Sequence, residues 1–175
     1  MAGKISPVTV PGLRLTTGTL VSPRDVADAL GSAFADFSSS VHYHPDFLPI
    51  KNRVESQGLS FQSSNRECYN ALFTLPELER TLVSSQPSAS GPDGVHILML
   101  QHLSPTGKRF LLRVYNHIWR TSTFPSAWRE ATIVPILKLG KDRHQASSYR
   151  RISLTSCLCK VMERMINARL TWWLE

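Results

Sequence analysis

Apolar residues recur at helical spacing in several stretches of the chain, and residues that favour a helix start precede each stretch. The first predicted helix has Ser22 as its cap and Pro23 at its first position, and it ends at the serines 38–40. Its apolar face consists of Val26, Leu30, Ala33, Phe34 and Phe37. Residues 1–21 show no sustained period, and residues 41–66 are polar with two X-Pro pairs. We therefore expect a loose segment before this helix and an irregular connection after it.

Further helices are predicted downstream. Thr74 lies three residues before Glu77, the spacing of a capping box, which predicts a helix over about residues 75–84. Residues 95–103 are apolar enough for a short buried helix, and Ser104-Pro105 starts a longer one. The last helix begins after Thr155 or Ser156. The apolar face expected to enter the core is that of the longer helix, Leu111, Val114, Tyr115, Ile118 and Trp119. One side of the last helix is lined by Leu158, Val161, Met162, Met165, Ile166, Leu170 and Trp173.

A short β-hairpin is predicted between these helices. Residues 131–137 form a β-rich run with an internal proline, and residues 150–154 form a second strand after a polar, basic tip. Upstream of the hairpin, Gly91-Pro92-Asp93-Gly94 is a strong turn signal, because proline sets one torsion and Asp-Gly accepts positive φ. The order of elements predicts an α+β fold, mainly helical with a short antiparallel β-hairpin.

Composition restricts the class of protein. The chain has 175 residues, enough for one domain, and its 42% hydrophobic and 19% charged content is typical of a soluble globular protein. No apolar run reaches the roughly 18 residues of a membrane helix, and the N-terminus lacks a signal-peptide core. Three cysteines are too sparse for a disulfide framework, so we expect an intracellular protein, cytoplasmic or nuclear. Cys157 and Cys159 lack zinc spacing and are interpreted as packing residues.

Charge is distributed unevenly along the chain. Residues 1–100 carry seven Lys/Arg against nine Asp/Glu, whereas residues 101–175 carry thirteen against four, a net of +9. A basic half with few acids is what a polyanion-binding surface requires. The alternative is a solvated basic face that keeps the chain soluble.

Motifs in the second half resemble one family, the reverse transcriptases of non-LTR (LINE-type) retrotransposons. The residues that carry the likeness are Gly91-Pro92-Asp93-Gly94-Val95, Phe124-Pro125 with Trp128-Arg129 and Ala131, Ile136 to Asp142, Tyr149 to Ser156, and Lys160, Glu163, Arg164, Ile166 and Arg169-Leu170. The likeness runs from about Tyr69 to Glu175. It implies a variable upstream segment with one helix at residues 1–66. Residues 67–175 would be a partial polymerase domain, the fingers and the helix leading to the palm.

The resemblance implies an RNA-directed DNA polymerase that extends a DNA primer on an RNA template, using deoxynucleoside triphosphates and Mg²⁺ and no membrane. On that basis Arg150 is the first candidate for a triphosphate contact, because its planar fork pairs with phosphate oxygens. Lys138 is the next candidate, and Lys141 is a candidate for the triphosphate or the template backbone. Gly140 would permit a tight turn. The alternative is that these cations decorate an exposed hairpin tip.

The carboxylates that hold the family's metal ions follow this region in the resemblance. Asp142 is the last aspartate here, no Asp-Asp pair occurs, and only Glu163 and Glu175 follow it. We therefore assign no catalytic residue and no metal site, and expect this chain alone to bind no Mg²⁺ and to lack polymerase activity.

Four positions depart from prolines that are common in the family: Leu72, Ser90, Leu139 and Arg151. Arg151 matters most, because it frees a torsion beside Arg150 and adds a second cation to the hairpin. Two other interpretations therefore stay open. The chain could be a non-catalytic basic fragment that binds nucleic acid, or the product of a decayed transposon copy without activity.

Overall fold

The computed structural model describes residues 10–15, 18–57 and 70–175. These residues are mainly helical, with two small antiparallel hairpins, so the α+β class is confirmed. The strands are β1 (Leu13–Leu15), β2 (Gly18–Leu20), β3 (Thr132–Leu137) and β4 (Tyr149–Leu154). The α-helices are α1 (Pro23–Phe37), α2 (Phe47–Ser56), α3 (Leu75–Ser84), α4 (Ile97–Gln101), α5 (Pro105–Thr121) and α6 (Cys157–Leu174).

The helix starts predicted by capping residues are confirmed, but the Ser22 side chain makes no cap hydrogen bond at the start of α1. Thr74 and Glu77 form a reciprocal capping box at α3, in which the Thr74 amide donates to the Glu77 carboxylate at 2.7 Å. The Ser104 hydroxyl accepts the Gly107 amide at the start of α5. The Ser156 hydroxyl accepts the Leu158 amide at the start of α6. Each cap satisfies an amide that the helix itself leaves without a partner.

Two predictions for the upstream segment are wrong. Residues 1–21 are not uniformly loose, because β1 pairs with β2 with Leu13 opposite Leu20. Three-residue strands are too short to display an alternating pattern in the sequence. Residues 41–66 are not all irregular either, since α2 occupies Phe47–Ser56. Phe47, Ile50 and Val54 lie at helical spacing in α2, although none of its residues is buried; the X-Pro pairs at 44–45 and 48–49 favoured an irregular connection instead. The proposed boundary between residues 66 and 67 lies outside the described residues.

The chain divides into two compact units. One contains Met1–Ser63 together with Val134–Ile152, and the other contains Ser64–Ile133 together with Ser153–Glu175. The tip and most of the β3–β4 hairpin therefore belong with the upstream residues, and not with the helices that flank the hairpin in sequence.

The second unit has a core made by α3, α4, α5 and α6. Tyr115 of α5 is fully buried there and donates its hydroxyl to the carbonyl of Leu158 at 2.8 Å. Burial raises the pKa of Tyr115, so the hydroxyl remains a donor. Cys157 and Cys159 are both buried and free, which confirms their interpretation as packing residues. Burial, with the Glu163 carboxylate beside it, raises the pKa of the Cys159 thiol to about 12.

Arg169 of α6 joins several parts of the second unit. Its guanidinium donates to both carboxylate oxygens of Glu77, at 2.6 and 3.0 Å, and also to the carbonyls of Ala71 and Leu72. It lies over the Phe73 ring, 4.3 Å from its centre. Burial opposes ionisation of Glu77, but the hydrogen bonds from Arg169 and Thr74 and the Arg169 charge lower its pKa from 4.5 to about 2. One side chain thus fixes the start of α3 against α6.

The turn at residues 91–94 approaches the start of α6. The Gly91 carbonyl accepts the Gly94 amide at 3.1 Å, and Gly94 has a φ of 66°. A β-carbon on Gly91 would lie 2.6 Å from the amide nitrogen of Ser156 and from the carbonyl carbon of Thr155. Only glycine allows the two backbones this close.

Glu77→Gln should reduce the loss of unfolding free energy that the wild type shows when the pH falls from 4.5 to about 2. A lowered pKa contributes stability that is fully present above pH 4.5 and lost as the pH falls towards 2. The variant should therefore unfold at lower urea than the wild type at neutral pH, and the gap should narrow at about pH 2. Tryptophan fluorescence is a suitable probe, because all four tryptophans lie in the second unit. Glu130→Gln, at an exposed carboxylate, is the control, and an equal gap at both pH values would contradict the assignment.

Gly91→Ala should destabilise the second unit by about 1–3 kcal/mol, because the added methyl group meets backbone that cannot move independently. The measurement is the urea midpoint of tryptophan fluorescence. Gly107→Ala is the matched control in the same unit, since its added β-carbon meets only side-chain atoms of Leu103 and Ser104, which can shift, and alanine favours a helix. A variant at residue 91 as stable as the control would refute the close-approach argument.

Candidate functional site

The β3–β4 hairpin carries the three cations that the resemblance points to. Lys138 directly follows β3, Lys141 lies in the tip, and Arg150 is the second residue of β4; all three are exposed. Gly140 has a φ of 71°, which permits the turn between the strands. The turn at residues 91–94, by contrast, belongs to the second unit.

The three cations differ in their local contacts. The Lys138 ammonium donates to the carbonyl of Ser147 at 2.9 Å and lies 5.9 Å from the centre of the Phe37 ring. Among the described residues, neither Arg150 nor Lys141 has a side-chain hydrogen bond or ion pair. Their charges are therefore available to a ligand, whereas part of the hydrogen-bonding capacity of Lys138 is already used.

Arg151 adds a cation to the hairpin as expected, but the expectation that it leaves the backbone beside Arg150 looser does not match its contacts. Its guanidinium donates to the Phe34 carbonyl at 2.8 Å and to the Ser38 hydroxyl at 2.6 Å. Both acceptors lie at the C-terminal end of α1, where carbonyls lack helical partners and a positive charge is favourable. That expectation is corrected: Arg151 fastens β4 to α1.

The hairpin also rests on the core of the first unit. Tyr149 is buried with Leu13, Val26 and Leu30, and its hydroxyl donates to the Arg143 carbonyl at 2.7 Å. In the tip, the His144 carbonyl accepts the amide of Arg14 at 2.8 Å, and a His144 ring nitrogen lies 2.9 Å from the Gly12 carbonyl oxygen. These contacts hold the tip of the hairpin and the start of β4, while Lys138, Lys141 and Arg150 stay exposed.

A cavity of about 300 Å³ lies beside these cations. Lys138, Arg150 and Arg151 line it together with Phe34 and Phe37 of α1. A site with cations and an apolar wall can bind a phosphate group and a flat or apolar part of the same ligand.

The contribution of Phe34 and Phe37 of α1 to this cavity was not predicted from the sequence. Phe37 was assigned to the buried face of α1, yet it is 74% exposed and contacts Lys138. Its position at the end of the apolar stripe, beside a run of serines, was the available signal. The contact itself joins residues a hundred positions apart.

Within residues 10–15, 18–57 and 70–175, no three His, Cys, Asp or Glu side chains converge as they would to hold a metal ion. None of the described helices is long and apolar enough to cross a membrane.

The chain is similar to RNA-directed DNA polymerases of Drosophila mobile elements. It is 33% identical over 138 residues to a probable RNA-directed DNA polymerase from transposon BS of Drosophila melanogaster, covering 68% of this chain and 15% of that protein. It is 35% identical over 99 residues to the RNA-directed DNA polymerase from mobile element jockey of Drosophila melanogaster, covering 55% and 11%. It is 34% identical over 91 residues to a probable RNA-directed DNA polymerase from transposon X-element, covering 52% and 10%.

These relatives confirm the resemblance to reverse transcriptases of LINE-type retrotransposons. The chain spans about 10 to 15% of the length of these curated relatives, so it matches part of such a polymerase. No family model matches the chain.

Arg151→Ala should loosen the C-terminal turn of α1, because the Phe34 carbonyl and the Ser38 hydroxyl each lose a hydrogen bond from the guanidinium. We expect faster amide hydrogen exchange in residues 34–38, measured by mass spectrometry. Arg150→Ala is the matched control: it removes the same charge from the adjacent position but contacts neither acceptor. Equal exchange in the two variants would show that Arg151 does not fasten α1.

Proposed function

We propose that this chain contributes nucleotide and template binding to the reverse transcriptase of a LINE-type retrotransposon. The observation that carries the proposal is the hairpin. Arg150 and Lys141 project from it without a side-chain partner among the described residues, and Lys138 lines the same cavity as Arg150. The similarity to RNA-directed DNA polymerases supports a role in polymerisation for such a set of cations.

Arg150 is proposed to contact the triphosphate of the incoming nucleotide. Its guanidinium can give paired hydrogen bonds to phosphate oxygens, and the β4 backbone that carries it is held on both sides in sequence, by buried Tyr149 and by Arg151. Lys138 adds a second charge, and Lys141 reaches the triphosphate or the template backbone from the tip. A fixed array of cations favours nucleotide binding because little reorganisation is needed.

The remaining parts of the reaction are assigned to the intact enzyme. Mg²⁺, when bound there, would polarise the phosphoryl oxygens and help to activate the primer 3′ hydroxyl. In this chain, Arg150, Lys138 and Lys141 orient the phosphates by charge and hydrogen bonding. We propose that residues 67–175 form the fingers of the polymerase and the helix that leads to its palm. Residues 1–66 are the upstream segment.

A second candidate function is that of a non-catalytic basic fragment that binds nucleic acid. The net charge of +9 over residues 101–175 favours it. Binding to an RNA–DNA duplex that falls steeply with salt would support this function. Specific nucleotide binding that depends on Arg150 would favour the first.

Arg150→Ala should weaken binding of a deoxynucleoside triphosphate by roughly 10- to 150-fold, since a charged hydrogen bond contributes about 1.5–3 kcal/mol. Arg150→Lys should lose less, because it keeps the charge and loses the fork. The measurement is equilibrium binding of a fluorescent deoxynucleoside triphosphate, with the nucleoside as the phosphate-free comparison. The chain alone should not extend a primer on an RNA template.

Arg164→Gln is the control, because it removes an exposed charge from α6. The proposal fails if this variant and Arg150→Ala reduce affinity equally, or if the nucleoside binds as tightly as the triphosphate.

A further inference from the structure

Helix α5 has an exposed face that the hairpin site does not use. Every charged residue of this helix is basic, and no acid occurs between Pro105 and Thr121. Lys108 is paired with Glu79 of α3 at 3.6 Å. Within residues 70–175 and the other described segments, the guanidinium groups of Arg109, Arg113 and Arg120 have no ion pair or hydrogen bond.

These arginines and an exposed aromatic ring lie on one side of the helix. Phe110, Arg113, His117 and Arg120 are spaced three, four and three residues apart, which keeps them on one face at 3.6 residues per turn. All four are exposed, and Phe110 is 66% exposed. The core residues Leu111, Tyr115 and Ile118 occupy another side of the helix.

A cavity of about 560 Å³ opens on this face. Leu72, Phe110 and Val114 give it apolar walls, and Arg113 and Arg120 line it as well. Asn116 holds the chain beside Leu72 in place. Its side-chain oxygen accepts from the backbone amide of Phe73 at 2.7 Å, and its side-chain nitrogen donates to the Phe73 carbonyl at 3.0 Å. Arg169 also donates to the carbonyl of Leu72.

We propose that this α5 face, formed by Phe110, Arg113, His117 and Arg120, binds single-stranded nucleic acid. A ring exposed between cations is a platform on which a base of any identity can stack, while arginines hold the backbone. Arg113 and Arg120 are about 10 Å apart along the helix axis, so they can contact different phosphates. An acidic protein surface would use the charges, but it would not need the exposed ring and the cavity.

This inference rests on the nucleic-acid binding proposed above and assigns it a surface that shares no residue with the hairpin cavity, because every residue that carries it lies in the second unit. The test is fluorescence anisotropy of the full chain with labelled oligo(U) and oligo(dT), and with a duplex of mixed sequence. The two single strands distinguish RNA from DNA as the source of the same stacking and phosphate chemistry.

Phe110→Ala should weaken binding of the single strands by roughly tenfold and leave the salt dependence unchanged. Arg113→Gln with Arg120→Gln should weaken binding and reduce the slope of log K against log salt by about 0.7 for each lost contact. Arg24→Gln with Arg164→Gln removes two exposed charges elsewhere and is the matched control. Urea midpoints by tryptophan fluorescence check that each variant is folded.

The inference is overturned if the control pair weakens binding as much as the α5 pair, or if Phe110→Ala leaves single-strand affinity unchanged. Duplex binding that is tighter than single-strand binding and indifferent to Phe110 would also overturn it. Arg150→Ala should change oligonucleotide affinity less than about twofold. Loss of nucleotide binding in that variant with intact strand binding separates this surface from the proposed function.

Discussion

The fork between Arg169 and Glu77 is the interaction on which the second unit depends. It joins α6 to the first turn of α3 and, through the carbonyls of Ala71 and Leu72, fixes the chain that leads into that turn. The same guanidinium covers the Phe73 ring. A buried or half-buried charge is tolerated only when its hydrogen-bonding groups are satisfied, and here carboxylate, carbonyls and ring all contribute. The ion pair thus joins two helices of the core, α3 and α6, whose contacting residues are 92 positions apart in sequence.

The first unit supports the short β3–β4 hairpin, which carries the exposed cations Lys138, Lys141 and Arg150. A two-stranded sheet alone is marginal in water. The upstream residues supply the missing support, because Tyr149 is buried among side chains of β1 and α1 and Arg151 fastens the strand to the end of α1. The cations of the hairpin thus divide into two kinds. Arg151 is held by two hydrogen bonds to the end of α1 and Lys138 by one to Ser147, while Arg150 and Lys141 have no side-chain partner among the described residues.

The excess positive charge of the chain is therefore organised into surfaces with separate supports. The hairpin cations depend on the core of the first unit, and the arginines of α5 depend on the packing of α5 in the second. Both surfaces combine cations with an exposed phenylalanine, Phe37 in one case and Phe110 in the other. Such pairs suit ligands that carry both phosphate and a flat ring. The similarity to RNA-directed DNA polymerases is consistent with this chemistry.

The sequence by itself determined the elements whose signals are local. Capping at Thr74, Ser104 and Ser156 and the long apolar stripes predicted α3, α5 and α6, and β-rich runs on either side of a polar tip predicted the hairpin. The family resemblance also came from contiguous motifs. Only the tertiary structure decided which cations of the hairpin are free and that the upstream segment supports it. The physical reason is that Arg151 and Phe34 lie 117 positions apart. Strands of three residues are too short to leave a period in the sequence, and a contact between distant residues leaves no local pattern at all.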